Sequence, residues 1–256
     1  MFERPVLVVF HGGTGDGPAE RMLATARIAA ARNTARSALA AGFEAVIVAT
    51  DDPAAFSPEF PGLLIDADRP GDAFDFAARL RGIVSRFGLQ RPATMGSGSV
   101  PLLGVDEFRL VVEQLEARDP RFVTNNFFSA DLTAWTPGDA IERCGEFARD
   151  NVLPRRLRDD ASIILPRTTA TQFDLDTPSD LAVLSLSESL APELAEAARP
   201  AEPAARRYRA FMPLLCDRTR QVVVAGRVGG SQAWQYLERE TACRVRLFAE
   251  ERGLAT

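Results

Sequence analysis

The chain reads as an α/β protein: a three-layer α/β/α domain around a mostly parallel, mixed sheet, followed by a small C-terminal α/β appendage. Three observations predict this. Short apolar runs recur along the chain, several without polar alternation, as strands buried on both faces require. Helix-period stretches separate these runs, which is the pattern of crossover units in a parallel sheet. The 256 residues, 46% hydrophobic and 25% charged, are enough for one large core.

In chain order the predicted strands are "PVLVVF" (5–10), "EAVIVAT" (44–50), "GLLID" (62–66), "PATMG" (92–96), "RFVTNN" (121–126) and "SIILP" (162–166). Helices are predicted over 19–41, 72–87, 106–117, 138–150 and 178–196. Gly42 and Gly88 stand where a left-handed residue would end two of them. "TPGD" (136–139) and "TPSD" (177–180) each offer Thr as N-cap, Pro at the first helical position and Asp at the third, predicting helix starts at 137 and 178. Residues 1–196 therefore form the large domain and the Pro/Ala-rich 197–205 a linker. Residues 206–256 form the appendage, with "QVVVAG" and "CRVRLF" as strands around the helix "SQAWQYLERE". A strand–helix–strand of this size cannot bury a core alone. Val222, Val224, Trp234, Tyr236 and Leu247 are expected to be covered by the large domain or by a second copy of the chain, as in a homodimer.

Composition narrows the function. A net charge of −5 argues against a nucleic-acid binder. No run approaches the ~20 apolar residues of a membrane span, and the first ten residues carry no secretory pattern, so the chain reads as cytoplasmic and unattached to membrane. Cys144, Cys216 and Cys243 have no metal or disulfide spacing. All 30 basic residues are arginine. Anions must then be met by guanidinium groups, backbone N–H groups or a metal.

Two segments carry candidate chemistry. In "VLVVFHGGTGDGPAERM" (6–22) a strand runs into a loop with four glycines in six positions and then a helix. Such a turn gives an anion converging N–H groups and the positive end of a helix, or simply changes direction. The Lys-Ser/Thr ending of a Walker A loop is missing. In "FDLDTPSDL" (173–181) Asp174 and Asp176 are two apart in an extended segment, so both carboxylates face one way, as a hard divalent cation requires; a solvated turn before a capped helix has the same sequence. "TNNFFSAD" (124–131) clusters Asn125, Asn126, Ser129 and Asp131 after a strand, and His11 abuts the glycine loop. Of Arg21, Arg32 and Arg36, spaced along one helix, Arg21 is nearest that loop. "VVVAGRVGGSQAW" (222–234) is a second strand–glycine–helix passage, read as a packing turn.

The glycine loop, "AGFEAVIVATDD" (41–52), a small-residue strand end followed by "PLL" (101–103) and "FDLDTPSDL" occur in that order. Together they resemble the nucleotidyltransferases of the glycosyltransferase-A type fold, in particular the molybdenum-cofactor cytidylyltransferase and 2-phospholactate guanylyltransferase groups. The resemblance spans about residues 5–190. It implies transfer of a nucleoside monophosphate unit from a nucleoside triphosphate to a small phosphorylated acceptor, with Mg²⁺. It further implies nucleotide binding by Gly12, Gly13, Thr14 and Gly15, with Ser97 and Gly98, and metal binding by Asp174 and Asp176. Arg21 and Met22 match the family's R-M pair, and Arg27 is the cation nearest its lysine, so Arg21 and Arg27 are the implied catalytic cations. Asn125, Asn126 and Ser129 fall where the family positions its acceptor. The chain departs from the pattern at "GSGSVPLL" (96–103), where Ser99 replaces the aspartate of D-x-P-L-L. A binding or regulatory module that has lost the chemistry, and a glycosyltransferase using a nucleotide sugar, therefore stay open.

Overall fold

The structure, a computed structural model, describes residues 2–13, 15–57, 60–69, 71, 74–117, 120–145, 147, 152–158, 162–227 and 230–250. Two compact units divide it, Met1–Pro200 and Ala201–Thr256.

The first unit is built on a seven-stranded sheet of order β3-β2-β1-β4-β6-β5-β7. The strands are β1 (Val6–His11), β2 (Ala45–Thr50), β3 (Leu63–Ala67), β4 (Pro92–Gly96), β5 (Arg121–Thr124), β6 (Leu132–Thr136) and β7 (Ser162–Ile164). β6 runs antiparallel to β4 and β5, and the remaining pairs are parallel. The continuous apolar runs are explained by burial on both faces: every residue of β2, and all but Phe10 of β1, is buried.

Helices cover the two faces. On one side α1 (Pro18–Ala41) and α3 (Val105–Ala117) close a core around Leu7, Val9, Val46, Val48, Phe108 and Leu115. The buried side of α1 is nearly all alanine, which allows close approach of helix to sheet. On the other side α2 (Phe76–Phe87), the 3₁₀ helix Gly138–Cys144 and α4 (Leu153–Leu157) cover Val6, Val8, Ile47, Phe122 and Trp135. Gly42 and Gly88 end α1 and α2 in the left-handed region, at φ 112° and 61°.

Four local expectations are corrected. β6 is a strand that the sequence pattern did not single out. "TPGD" caps no helix, because Thr136 is paired with Arg121 in the β5–β6 ladder and the helical turn starts only at Gly138. That turn is a 3₁₀ helix ending at Cys144; residues 146 and 148–150 of the predicted helix lie outside the described residues. The predicted helix 178–196 is two helices, α6 (Pro178–Leu184) and α7 (Pro192–Ala198). The break falls on "SLSESLA", where the Ser185 hydroxyl donates to the Ala182 carbonyl and Ser187 Oγ accepts from Ser189 N–H, and Pro192 has no N–H to continue a helix. A short helix, α5 (Thr169–Gln172), precedes the "FDLD" segment. "TPSD" does cap α6: Thr177 Oγ1 accepts from Asp180 N–H, and Asp180 reaches back to Thr177 N–H.

Residues 199–201 form a 3₁₀ turn, and α8 (Glu202–Cys216) opens the second unit, so the Pro/Ala stretch 197–205 is helical. There β8 (Gln221–Arg227) and β9 (Arg244–Glu250) pair in parallel through α9 (Gly230–Glu240). Val222 is buried, while Trp234 and Tyr236 stay exposed. Among the described residues no helix is long and apolar enough to cross a membrane.

Candidate functional site

The sheet sets the place of the site. β1 to β4 are parallel, so their carboxyl ends share one edge, and β6, running the other way, brings its amino end to that edge. Two cavities that share lining residues open there. One, of about 360 Å³, is polar and lined by Gly12, Arg27, the turn Gly96–Ser99, Ser129, Asp131, Asp174 and Asp176. The other, of about 470 Å³, is walled by Phe10, Phe74, Phe76, Met95 and Leu153, with His11, Thr94 and Thr133 between them and Asp51, Asp68 and Asp131 also lining it. Phe10, Gly12, Gly96, Ala130 and Asp131 line both.

Backbone pairing assembles the polar cavity. A single antiparallel bridge joins Ser99 to Asp174, and Leu175 N–H donates to the Gly98 carbonyl at 3.1 Å. The extended "FDLD" segment turns Leu175 into the core and leaves Asp174 and Asp176 lining the cavity. Arg27 reaches it from α1: its Nε donates to the Leu175 carbonyl at 3.0 Å, and its Nη2 pairs with Asp176 Oδ1 at 3.2 Å. A Cβ on Gly98 would lie 2.9 Å from the Leu175 carbonyl oxygen and 3.0 Å from Arg27 Nε, so only glycine fits this crossing. Val100, fully buried beside Ser99, sits at φ 39°, a left-handed conformation that strains a β-branched residue.

Asp131, Asp174 and Asp176 line this cavity together with Arg27. Burial, reinforced by the Asp176 and Asp131 carboxylates, pushes Asp174 up to about 7, against the opposing pull of Leu175 N–H and Arg27. Among the described residues no three His, Cys, Asp or Glu side chains gather as a metal-holding group. Mg²⁺ needs fewer: one or two carboxylates usually hold it, with water and substrate phosphate completing the octahedron. The half-buried Asp174 and the exposed Asp176, lining one cavity two residues apart, are a donor set of that size.

The glycine loop is less open to phosphate than its sequence suggests. Gly12 lines both cavities, but Gly13 N–H already donates to Asp51 Oδ2 at 2.8 Å. Gly15 lines neither cavity, and Thr14 lies outside the described residues. Arg21 is exposed, donates to the Asp16 carbonyl and lines neither cavity. Ser97 holds His11, with Oγ and Nδ1 2.9 Å apart, while the His11 ring meets Phe56 edge to face. Burial lowers the His11 pKa despite the opposing Asp51 and Asp52, favouring the neutral imidazole.

The acceptor cluster divides. Ser129 lines the polar cavity. Asn125 is buried and its amide is fully used: Nδ2 donates to Asp131 Oδ2 and the Thr171 carbonyl, and Oδ1 accepts from Asp131 and Leu132 N–H. Asn126 Oδ1 accepts from Phe128 N–H, closing the next turn. These two residues hold the loop that presents Asp131 to both cavities.

Asp131 closes "TNNFFSAD" and Asp51 stands in "AGFEAVIVATDD", whereas Asp68, Thr94, Phe74 and Phe76 carry no motif. For Asp68 and Thr94 the one signal is position, in or just beyond a predicted strand. Asp68 is held there by Arg79, whose Nε donates to it at 2.8 Å while Nη1 meets Asp66 at 2.7 Å.

No protein-family model and no curated protein matches the chain. Solved structures do. A protein described as a nucleotide-diphospho-sugar transferase, from Desulfovibrio desulfuricans G20, aligns with a TM-score of 0.56 at 19% identity, covering 80% of this chain and 97% of its own. A cytidylyltransferase from Leptospira borgpetersenii aligns at 0.55 and 13% identity, covering 81% and 96%. A nucleotidyl transferase from Methanothermobacter aligns at 0.53 and 16%, covering 72% and 96%. The chain thus has the nucleotide-diphospho-sugar transferase-like α/β fold.

Proposed function

We propose that the chain is a nucleotidyltransferase that joins a nucleoside monophosphate unit to a small phosphorylated acceptor. One observation carries this reading: Arg27, the Gly96–Ser99 turn, Asp174 and Asp176 converge on a polar cavity beside an aromatic-walled one, at the strand ends where this fold places ligands. The polar cavity suits phosphates and the aromatic cavity suits the uncharged part of a nucleotide. The chemistry is displacement at the α-phosphorus. An acceptor phosphate oxygen forms the new P–O bond as the bond to the β-phosphate oxygen breaks and pyrophosphate leaves. Mg²⁺, held by Asp174 and Asp176 with Asp131 nearby, would neutralise and orient the triphosphate. Arg27, fixed by the Leu175 carbonyl, supplies a cation on the same wall, and the two cavities hold the reactants in line.

Nucleotide binding measured by calorimetry for the four ribonucleoside triphosphates, with and without Mg²⁺, tests the proposal. Asp174→Asn and Asp176→Asn are each expected to abolish the Mg²⁺-dependent part of binding. Parent-like Mg²⁺ dependence in both variants would reduce the carboxylates to helix punctuation. Ser99 favours a second reading, a nucleotide-binding module without turnover, since a hydroxyl is a poor Mg²⁺ ligand. Binding without pyrophosphate release, and release gained on Ser99→Asp, would select that reading.

A further inference from the structure

Thr94 lies mid-strand on β4 at 5% exposure, and its Oγ1 is buried without a hydrogen-bond partner among the described residues. Buried hydroxyls are rarely left this way, because desolvation without a partner is costly. This one lines the aromatic cavity, and on the neighbouring strand its register partner Thr133 lines it too. The volume of about 470 Å³ is that of a small-molecule site. Phe10, Phe74 and Phe76 offer ring faces and edges, with Phe10 and Phe76 centroids 5.0 Å apart. Among the described residues no arginine lines the cavity, and Asp51, Asp68 and Asp131 do. A phosphate is therefore repelled, while a neutral heterocycle with a polar edge, carrying hydroxyls that donate to carboxylates, is accommodated.

We infer that Thr94 is a specificity-determining residue whose hydroxyl hydrogen-bonds the polar edge of the nucleobase, and that the aromatic cavity binds the nucleoside independently of the phosphates. The inference rests on the nucleotidyltransferase reading. It assigns recognition to the strand floor and leaves Arg27, Asp174 and Asp176 to the phosphate end. Only a ligand with a donor or acceptor at that edge satisfies the hydroxyl, so a ring lacking one is rejected for leaving it unpaired.

The test uses the full chain as parent, Thr94→Val and Thr94→Ser. Its probes are adenosine, guanosine, cytidine and uridine without metal, and inorganic tripolyphosphate with Mg²⁺, all by calorimetry. At least one nucleoside is expected to bind the parent, about tenfold more weakly to Thr94→Val and within about threefold for Thr94→Ser. Tripolyphosphate should bind all three alike. Thr94→Val should melt no lower than the parent without ligand, which separates loss of recognition from loss of structure. Equal nucleoside affinity in the parent and Thr94→Val overturns the role of Thr94. Tripolyphosphate binding with no nucleoside binding overturns this inference and leaves the phosphate site standing. Failure of both probes to bind overturns the function on which it rests.

Discussion

Asp174 is a carboxylate held where its charge is costly, and the cost depends on pH. Its folded pKa of about 7 lies above the usual 3.8, so between those values the native chain keeps a proton that the unfolded chain releases. Stability from this group is complete below about pH 4 and is lost as pH rises through 7. The groups that set the shift are Asp176, Asp131 and Arg27, together with the Leu175 N–H. Asp174→Asn keeps an oxygen for Leu175 N–H and loses the charge. It is expected to melt above the parent at pH 8, with the difference vanishing near pH 4, as read by calorimetric scans across that range. In the parent, added Mg²⁺ should raise the melting temperature more at pH 8 than at pH 5, because the ion competes with the proton for one oxygen. Asn125→Ala should cost about 2–4 kcal/mol in denaturant unfolding, since it leaves Asp131 and Leu132 N–H groups without their partner inside the fold. Spacing alone made Asp174 and Asp176 legible in the sequence, because alternation along an extended segment needs no tertiary information. The fate of Asn125 was illegible for the opposite reason: the same amide serves a ligand or a loop, and only the distant Thr171 carbonyl decides.

At the scale of elements, two nearly identical tetrapeptides show where local pattern stops being sufficient. "TPSD" caps α6 because Thr177 follows an irregular segment and is free to take the extended cap conformation with its side chain turned back. "TPGD" does not, because Thr136 is already committed to the β5–β6 ladder. Thr177→Ala should therefore cost about 1 kcal/mol in denaturant unfolding. β6 was hidden for a related reason. Its start is set by the Asn125 side chain, which accepts from Leu132 N–H and so ends the loop. The site depends on a similar stitch between elements, the crossing of the Gly96–Ser99 turn with "FDLD". Gly98→Ala should push Leu175 and Arg27 apart and abolish Mg²⁺-dependent nucleotide binding, measured by calorimetry. Nucleoside binding to the aromatic cavity should persist, because Thr94 and the phenylalanines lie on other elements.

For the whole molecule, the alternation of strand and helix sufficed to fix the layers. It could not fix the order β3-β2-β1-β4-β6-β5-β7, which is decided by pairings across long sequence distances. The two units differ in what holds them. Among the described residues both hydrophobic cores, on the two faces of the seven-stranded sheet, are built from residues before Pro200, the last of them at the Leu165 and Ala170 positions. Among the described residues both cavities are lined by the first unit, none of the lining residues coming later than Asp176. A chain ending at Pro200 is therefore expected to unfold in one cooperative thermal transition and to bind nucleotide with Mg²⁺ within about threefold of the full chain. The second unit has a parallel sheet of only two strands, a class of sheet that is stable when covered on both faces. Val223 and Phe248 stand 62% and 65% exposed on it. A peptide of residues 201–256 alone should accordingly show no cooperative transition by circular dichroism, because two strands and a helix leave too little apolar surface buried to offset chain entropy. If the shortened chain loses cooperative unfolding while the peptide folds, the division of cores between the units is wrong, and so is the assignment of the whole site to the first.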